Sequence, residues 1–312
     1  MKMYNLLKDS VRRYQDLPIP EARYLYVSRR STTLPACTSM GQREYEIACM
    51  DPQDCGPNAL LRKLGLQEDG FAEIIEKYFP SKKHSLSNNP KNKQRFLELF
   101  ADNDFLDRIQ EERKKATDLL RSYLAQEDFF GADKTNVLVD IGWNATVQVN
   151  VTKAFMNDPQ FPQIKGCYYG RDYAALNDYT LSAKSVYPSG FVFDNIRYQP
   201  IAYFMPLFEF ASCAEHGSTI SYERKDNGSI EPVLDADYQH RTEQKALQEG
   251  ILSFAQGFAE RYNRYEPDVH ALQNEAVGRL KHLAFYPSRS QVNALRRVVI
   301  DADWGGKGQH TL

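Results

Sequence analysis

Cysteine is sparse in this chain: Cys37, Cys49, Cys55, Cys167 and Cys213 are the five among 312 residues. An odd number without a C-x-x-C pair fits a reducing compartment better than a disulfide scaffold or a zinc site. Five inert thiols are the expectation. Long hydrophobic runs are absent as well. The most apolar stretch, residues 201–211, is interrupted by Pro206 and Glu209 and falls short of the roughly 20 residues that a membrane helix needs. It reads as a buried segment. Residues 1–16 carry charges throughout and lack the apolar centre of a signal peptide, so the expected location is cytoplasmic, with at most peripheral membrane contact. The three Asn-x-Ser/Thr matches at Asn144, Asn150 and Asn227 are then coincidental. Net charge is also missing: 39 basic residues against 41 acidic leave −2, which gives no electrostatic footprint for nucleic acid. Any anion site must be local.

Residues 136–148, Asn-Val-Leu-Val-Asp-Ile-Gly-Trp-Asn-Ala-Thr-Val-Gln, are the most informative stretch. A β-branched apolar run ends at Asp140, then comes a loop with Gly142 and Trp143, then a helix start between Asn144 and Thr146. This reads as an interior strand delivering a carboxylate to a crevice at the carboxyl end of a sheet, where ligands of open α/β folds bind. Gly142 lets backbone approach closely, and the helix start aims unpaired N–H groups at an anion. A phosphorylated polyhydroxy compound fits such a site. An ordinary strand–loop–helix unit whose Asp caps the helix has the same pattern. The segment alone does not choose between them.

A chain of this length suits one large domain, or one domain carrying a helical insertion. Apolar spacing predicts a helix over 2–14, ended by Pro18 and Pro20, and a strand over 24–28. Residues 57–127 read as a helical insertion, with Pro57 at a first turn, helices over 71–79 and 94–100, a polar linker over 81–93, and a long helix over 104–126. Strands are predicted over 137–140, 164–169 and 191–194. Asn227-Gly228 predicts an antiparallel hairpin between 218–223 and 229–234. The tail from Gln239 is helical, with Ser288 capping a last helix to Ile300. The fold class is α/β: a mostly parallel, Rossmann-like or phosphoribosyltransferase-like sheet with a large helical insertion and a helical carboxyl-terminal part.

Two further clusters carry chemistry. Ser28, Arg29, Arg30, Ser31 and Thr32 crowd the end of the first predicted strand, and arginine forks with small hydroxyls grip phosphate or diphosphate. A solvated basic turn is the alternative. Glu209 stands among bulky apolar residues, where burial would raise its pKa and suit it to general acid or base work; a core carboxylate satisfied by an arginine is the competing reading. His216 precedes a glycine in a turn, a position more typical of an exposed loop residue than of a catalyst. Arg171 and Asp172 are weaker candidates. The abundant tyrosines, Tyr168, Tyr169, Tyr173, Tyr179 and Tyr187 among them, offer faces for sugar rings but mostly pack.

Together, the Val-Ser-Arg-Arg strand end, the Val-Asp-Ile-Gly-Trp-x-x-Thr-x-Gln loop and the Phe-Glu-Phe-Ala…Gly-Ser segment resemble the carboxyl-terminal, glycan phosphoribosyltransferase-like domain of bacterial polysaccharide-locus proteins grouped with haloacid dehalogenase superfamily hydrolases. The resemblance covers most of the chain and is most specific at the Asp140 loop. It implies transfer of phosphoribosyl from phosphoribosyl diphosphate to a glycan acceptor, lipid-linked in some settings, in O-antigen or capsule biosynthesis. A phosphatase then removes the 5-phosphate to leave ribofuranose. Under it, Gly142, Trp143, Asn144, Thr146 and Gln148 would hold the donor, Asp140 would bind ribose hydroxyls directly or through Mg²⁺, and Ser28, Arg29 and Arg30 would neutralise diphosphate. Glu209 would take the acceptor's proton, with His216 a substrate contact. The chain lacks the family's Asp-x-Asp-x-Thr/Val phosphatase motif, so a separate phosphatase partner is implied. It also lacks the Arg-Asp-Gly type strand end that relatives carry before the region matching Met3. A non-catalytic glycan- or partner-binding fragment is therefore the rival reading. A glycosyltransferase using a sugar nucleotide is weaker, because no Asp-x-Asp metal motif supports it.

Overall fold

The computed structural model describes residues 1–11, 18–50, 54–80, 90–171, 191–192, 205–236, 241–265, 268–296, 299–301 and 309–311. Within them the chain is mixed α/β and rich in helix. Helix α1, Lys2–Ser10, ends where Val11 turns extended. It packs on the later helix Thr242–Tyr265 through Leu7, Val11, Phe258, Ala259 and Tyr262.

The predicted strand at 24–28 is a correction: the segment is extended but joins no sheet. Its backbone is satisfied by tyrosine side chains instead. The Tyr26 N–H donates to Tyr123 Oη at 2.8 Å, and Tyr222 Oη donates to the Tyr26 carbonyl at 2.7 Å. A backbone group needs a partner when buried, but that partner need not be a strand.

Helix α2, Arg29–Thr33, follows directly, capped by Ser28. Then come α3 (Gln42–Ala48), α4 (Pro57–Lys63, with Pro57 in its first turn), a 3₁₀ turn at Asp69–Phe71, α5 (Ala72–Tyr78) and α6 (Pro90–Leu99). Helix α7, Asn103–Gln126, is the longest of this block at 24 residues, about 36 Å by helical rise. Asp102 caps it, accepting from the Phe105 amide at 3.0 Å. The capping position and the apolar stripe Phe105, Ile109, Leu120, Tyr123 and Leu124 explain why this helix was readable from spacing.

Two cores meet on α7. Its first half, through Phe105 and Ile109, joins Leu34, Tyr45, Leu60, Leu61, Phe96 and Leu99. Its second half, through Leu120, Tyr123 and Leu124, joins Val151, Phe155, Ile164, Tyr222 and Ile230. The helical block therefore begins upstream of residue 57, because Leu34, Tyr45 and Ile47 belong to the same core. Gln126 adds a polar clamp: its amide donates to the Ile230 carbonyl at 3.1 Å and accepts from the Ile230 N–H at 2.9 Å.

The sheet comprises β1 (Thr135–Trp143), β2 (Gln163–Arg171) and the two-residue β3 (Phe191–Val192), parallel and in that order. Helix α8, Thr146–Phe155, connects the first two strands. A full Rossmann-like sheet is not present among the described residues. Nor is β1 buried on both faces. Leu138 and its neighbour Gly166 turn inward, whereas Val137 and Val139 are exposed, Val139 at 79%. The apolar run that suggested an interior strand is thus one inward face alternating with one open face.

Helix α9, Met205–Ser212, occupies the described part of the stretch read as a buried apolar segment. The hairpin β4–β5, Thr219–Arg224 with Ile230–Leu234, forms as predicted: Gly228 takes φ 85 at its turn, and the Lys225 N–H donates to the Ser229 carbonyl at 2.9 Å. Helices α10 (Thr242–Tyr265), α11 (Val269–Phe285) and α12 (Arg289–Leu295) make the tail. Ser288 caps α12 in a reciprocal box with Gln291, but the helix stops at Leu295. Val299–Asp301 instead pairs antiparallel with Gln309–Thr311 as β6 and β7. Among the described residues no helix is long and apolar enough to cross a membrane.

One cysteine expectation is overturned. Cys49 and Cys55 are joined in a disulfide, with a Cα separation of 4.3 Å. Cys37, Cys167 and Cys213 are free thiols.

Candidate functional site

The carboxyl end of β1 runs through Asp140 to Trp143, and Ala145 then bends the chain into α8 with φ 51, a left-handed conformation costly for a residue with a Cβ. No side chain caps α8. The first amide to close onto the helix is that of Val149, which donates to the Ala145 carbonyl at 3.0 Å. The amides of Thr146, Val147 and Gln148 precede that bond and carry the positive end of the helix dipole. Thr146 is half-buried at the first helical position, and Asn144 is exposed. Gly142 and Trp143 stand in β1 opposite Gly170 and Arg171 of β2.

Asp140 is exposed, pairs in register with Tyr168, and accepts the Ile141 N–H at 2.7 Å. It does not cap α8. Arg29, the first residue of α2, is coupled electrostatically to both predicted carboxylates. Protein around its guanidinium lowers its pKa by desolvation, while Glu209, and after it Asp140, pull the other way. Arg29 nevertheless keeps an exposed surface. Guanidinium stays protonated under such conditions, so one cation is electrostatically coupled to two carboxylates. Glu209 lies half-buried on α9, with its neighbour Phe210 in the apolar interior.

Other predicted contacts have structural employment. Ser28 caps α2: its Oγ accepts the Ser31 N–H at 3.1 Å and donates to the Thr219 carbonyl at 2.5 Å. Its single hydroxyl hydrogen ties α2 to β4. Arg30 donates from Nε to the Arg62 carbonyl at 2.9 Å and sits 3.9 Å from the Asp235 carboxylate, holding the helical block to the end of β5. Gln148 is buried at 3% exposure, and its side-chain oxygen receives the Tyr168 hydroxyl hydrogen. Ser28, Arg30 and Gln148 thus tie α2 and α8 to their neighbouring elements.

Asn150, one turn of α8 further on, was passed over by sequence reasoning as a chance glycosylation match. It is fully buried. Its Nδ2 donates to Thr32 Oγ1 and Thr33 Oγ1, each at 3.2 Å, and its Oδ1 accepts from Arg43 Nη2 at 3.1 Å. This one amide fastens α8 to α2 and α3, which fixes Arg29 relative to the β1 end. No local pattern announces it.

His216 belongs to a different part of the surface. Its ring lies 4.8 Å from that of Tyr26 and 5.6 Å from that of Tyr24. Among the described residues no group of three or more His, Cys, Asp and Glu side chains is arranged to hold a metal ion. Arg171 lies at the end of β2; Asp172, Tyr173, Tyr179 and Tyr187 lie outside the described residues.

No protein-family model matches the chain, and no curated protein matches it.

Proposed function

We propose that this chain is a cytoplasmic glycan phosphoribosyltransferase of bacterial surface-polysaccharide assembly, taking phosphoribosyl from phosphoribosyl diphosphate. The observation that carries the reading is the electrostatic coupling of Arg29 to Glu209 and to Asp140, carboxylates on two other elements, together with a helix start after β1 that no side chain caps. In this reading the sheet belongs to a larger Rossmann-like arrangement.

The chemistry follows from charge. Amides of Thr146 to Gln148 and the Thr146 hydroxyl hold the 5-phosphate at the positive end of α8. Arg29 neutralises diphosphate as the bond from the anomeric carbon to its oxygen breaks and the electron pair leaves with it. Positive charge developing on the ribose is stabilised by Asp140. An acceptor hydroxyl oxygen bonds the anomeric carbon, and its proton passes to Glu209. One carboxylate plus donor phosphate oxygens is a common way to hold Mg²⁺, and Asp140 fits that role. Bound there, the ion would supply further charge neutralisation to the diphosphate.

Asp140→Asn tests the proposal. It is expected to abolish transfer from radiolabelled phosphoribosyl diphosphate while the thermal unfolding midpoint stays in place, since Asp140 is exposed. Undiminished transfer would remove Asp140 from the mechanism. Magnesium-insensitive calorimetry, with no donor heat at all, would favour a binding module instead.

A further inference from the structure

Three aromatic rings stand together without a role in the chemistry above. Tyr24 and Tyr26 alternate on the extended segment before α2, and His216 comes from the turn before β4. Tyr24 meets Tyr26 edge-on at 5.0 Å and 84°, and meets His216 edge-on at 5.6 Å and 80°. Tyr26 and His216 lie tilted at 4.8 Å and 35°. The result is two rings tilted against each other with a third upright against them.

The polar atoms of this cluster are what set it apart from core packing. His216 Nδ1 lies 2.8 Å from the Gly217 carbonyl. A carbonyl only accepts, so Nδ1 carries the hydrogen, which leaves Nε2 free for a hydrogen bond to a ligand. Among the described residues neither Nε2 nor the Tyr24 and Tyr26 hydroxyls has a hydrogen-bond partner in the protein. Tyr24 is 44% exposed. Buried tyrosines elsewhere in the chain use their hydroxyls, as Tyr123, Tyr168 and Tyr222 do.

We propose that Tyr24, Tyr26 and His216 form a subsite for a pyranose ring of the acceptor glycan. Aromatic faces cover the C–H surface of the sugar, while Nε2 hydrogen-bonds one sugar hydroxyl and the tyrosine hydroxyls engage its neighbours. Position supports this: Tyr26 and Arg29 are three residues apart, at most about 10 Å along extended backbone. The identity of the occupant as the acceptor rests on the transfer reading; the sugar subsite itself does not.

The test uses the full chain and methyl pyranosides of the gluco, galacto and manno series as probes, without donor, read by saturation-transfer and chemical-shift NMR. At least one probe should shift the His216 and tyrosine ring resonances. Tyr24→Ala should weaken that probe about tenfold, and Tyr24→Phe and His216→Ala about threefold each. Circular dichroism serves as the folding control. Unmoved ring resonances in the unsubstituted protein, or undiminished binding by Tyr24→Ala, would overturn the subsite. The same titration on Asp140→Asn separates the two proposals. Retained glycoside binding with lost transfer leaves the subsite standing, whereas donor binding without glycoside binding removes the subsite alone.

Discussion

Replacing Gly166 with alanine should destabilise this protein, against the usual direction for such a change. A glycine inside a strand ordinarily costs about 0.5–1 kcal/mol relative to alanine, so Gly→Ala is normally neutral or favourable. Gly166 is buried in β2, and the ring of Tyr168, two residues on and therefore on the same face, folds back over it. A Cβ there would overlap that ring, 2.8 Å from Cζ, and would collide with the Gln148 side-chain oxygen that receives the Tyr168 hydroxyl hydrogen. Overpacking costs about 1–3 kcal/mol, and parting two buried polar groups costs a similar amount. Against the conformational gain of less than 1 kcal/mol, a net loss of about 3 kcal/mol is expected. Urea unfolding followed by far-ultraviolet circular dichroism measures it. Because Gln148 stands in the first turn of α8, donor affinity should fall as well. Gly166→Ala with a midpoint equal to or above that of the unsubstituted protein would refute the packing argument. Combining it with Tyr168→Ala should give much less than the summed losses, since both changes act on one contact.

Other outcomes follow from the site and the cores. Arg29→Met should weaken phosphoribosyl diphosphate binding by at least about tenfold, the loss expected for a charge-assisted contact, with Arg29→Lys recovering part of it; calorimetry reads both. Burial, and after it the neighbouring Glu44 carboxylate, pushes the Cys37 thiol up to about 12, so iodoacetamide at pH 8 should leave Cys37 unmodified until the chain unfolds, as peptide mass mapping would show. Burial also raises Tyr123 to about 12 from the ordinary 10, and raises Tyr222 in the same direction. Both favour the neutral phenol in the folded state. Their contribution is therefore intact below pH 10 and is lost as pH climbs through 12, which a pH series of urea midpoints and tyrosinate absorbance at high pH should trace.

Much of the helical architecture was legible because it is local. Asp102 and a periodic stripe announce α7, Pro57 announces α4, and Asn227-Gly228 announces the hairpin. What was misread depended on partners far away in sequence. Residues 24–28 have strand-forming side chains, yet Tyr123 and Tyr222 supply their hydrogen bonds, about a hundred and two hundred positions downstream. The last helix was drawn too long because the β-branched residues at its end found a pairing partner in 309–311. At the site, Asp140, Arg29 and Glu209 were picked out on chemistry alone, and Arg29 is electrostatically coupled to each of the two carboxylates. Ser28, Arg30 and Gln148 were equally plausible as ligand contacts, and they make caps and ties that no residue pattern reveals. Tyr24 and Tyr26 escaped notice for the opposite reason: their significance comes from a histidine that lies nearly two hundred residues away.

Helix α7 spans both apolar interiors, and this makes the segment from 57 to 127 inseparable from the rest. Excising it would strip Leu120, Tyr123 and Leu124 from beneath the sheet, release the Gln126 clamp on β5, and leave the Tyr26 amide without its acceptor. The block is better regarded as a girder than as an appendage. Hydrogen exchange along α7 should accordingly be slow at both ends of the helix, with the two halves of the molecule opening together.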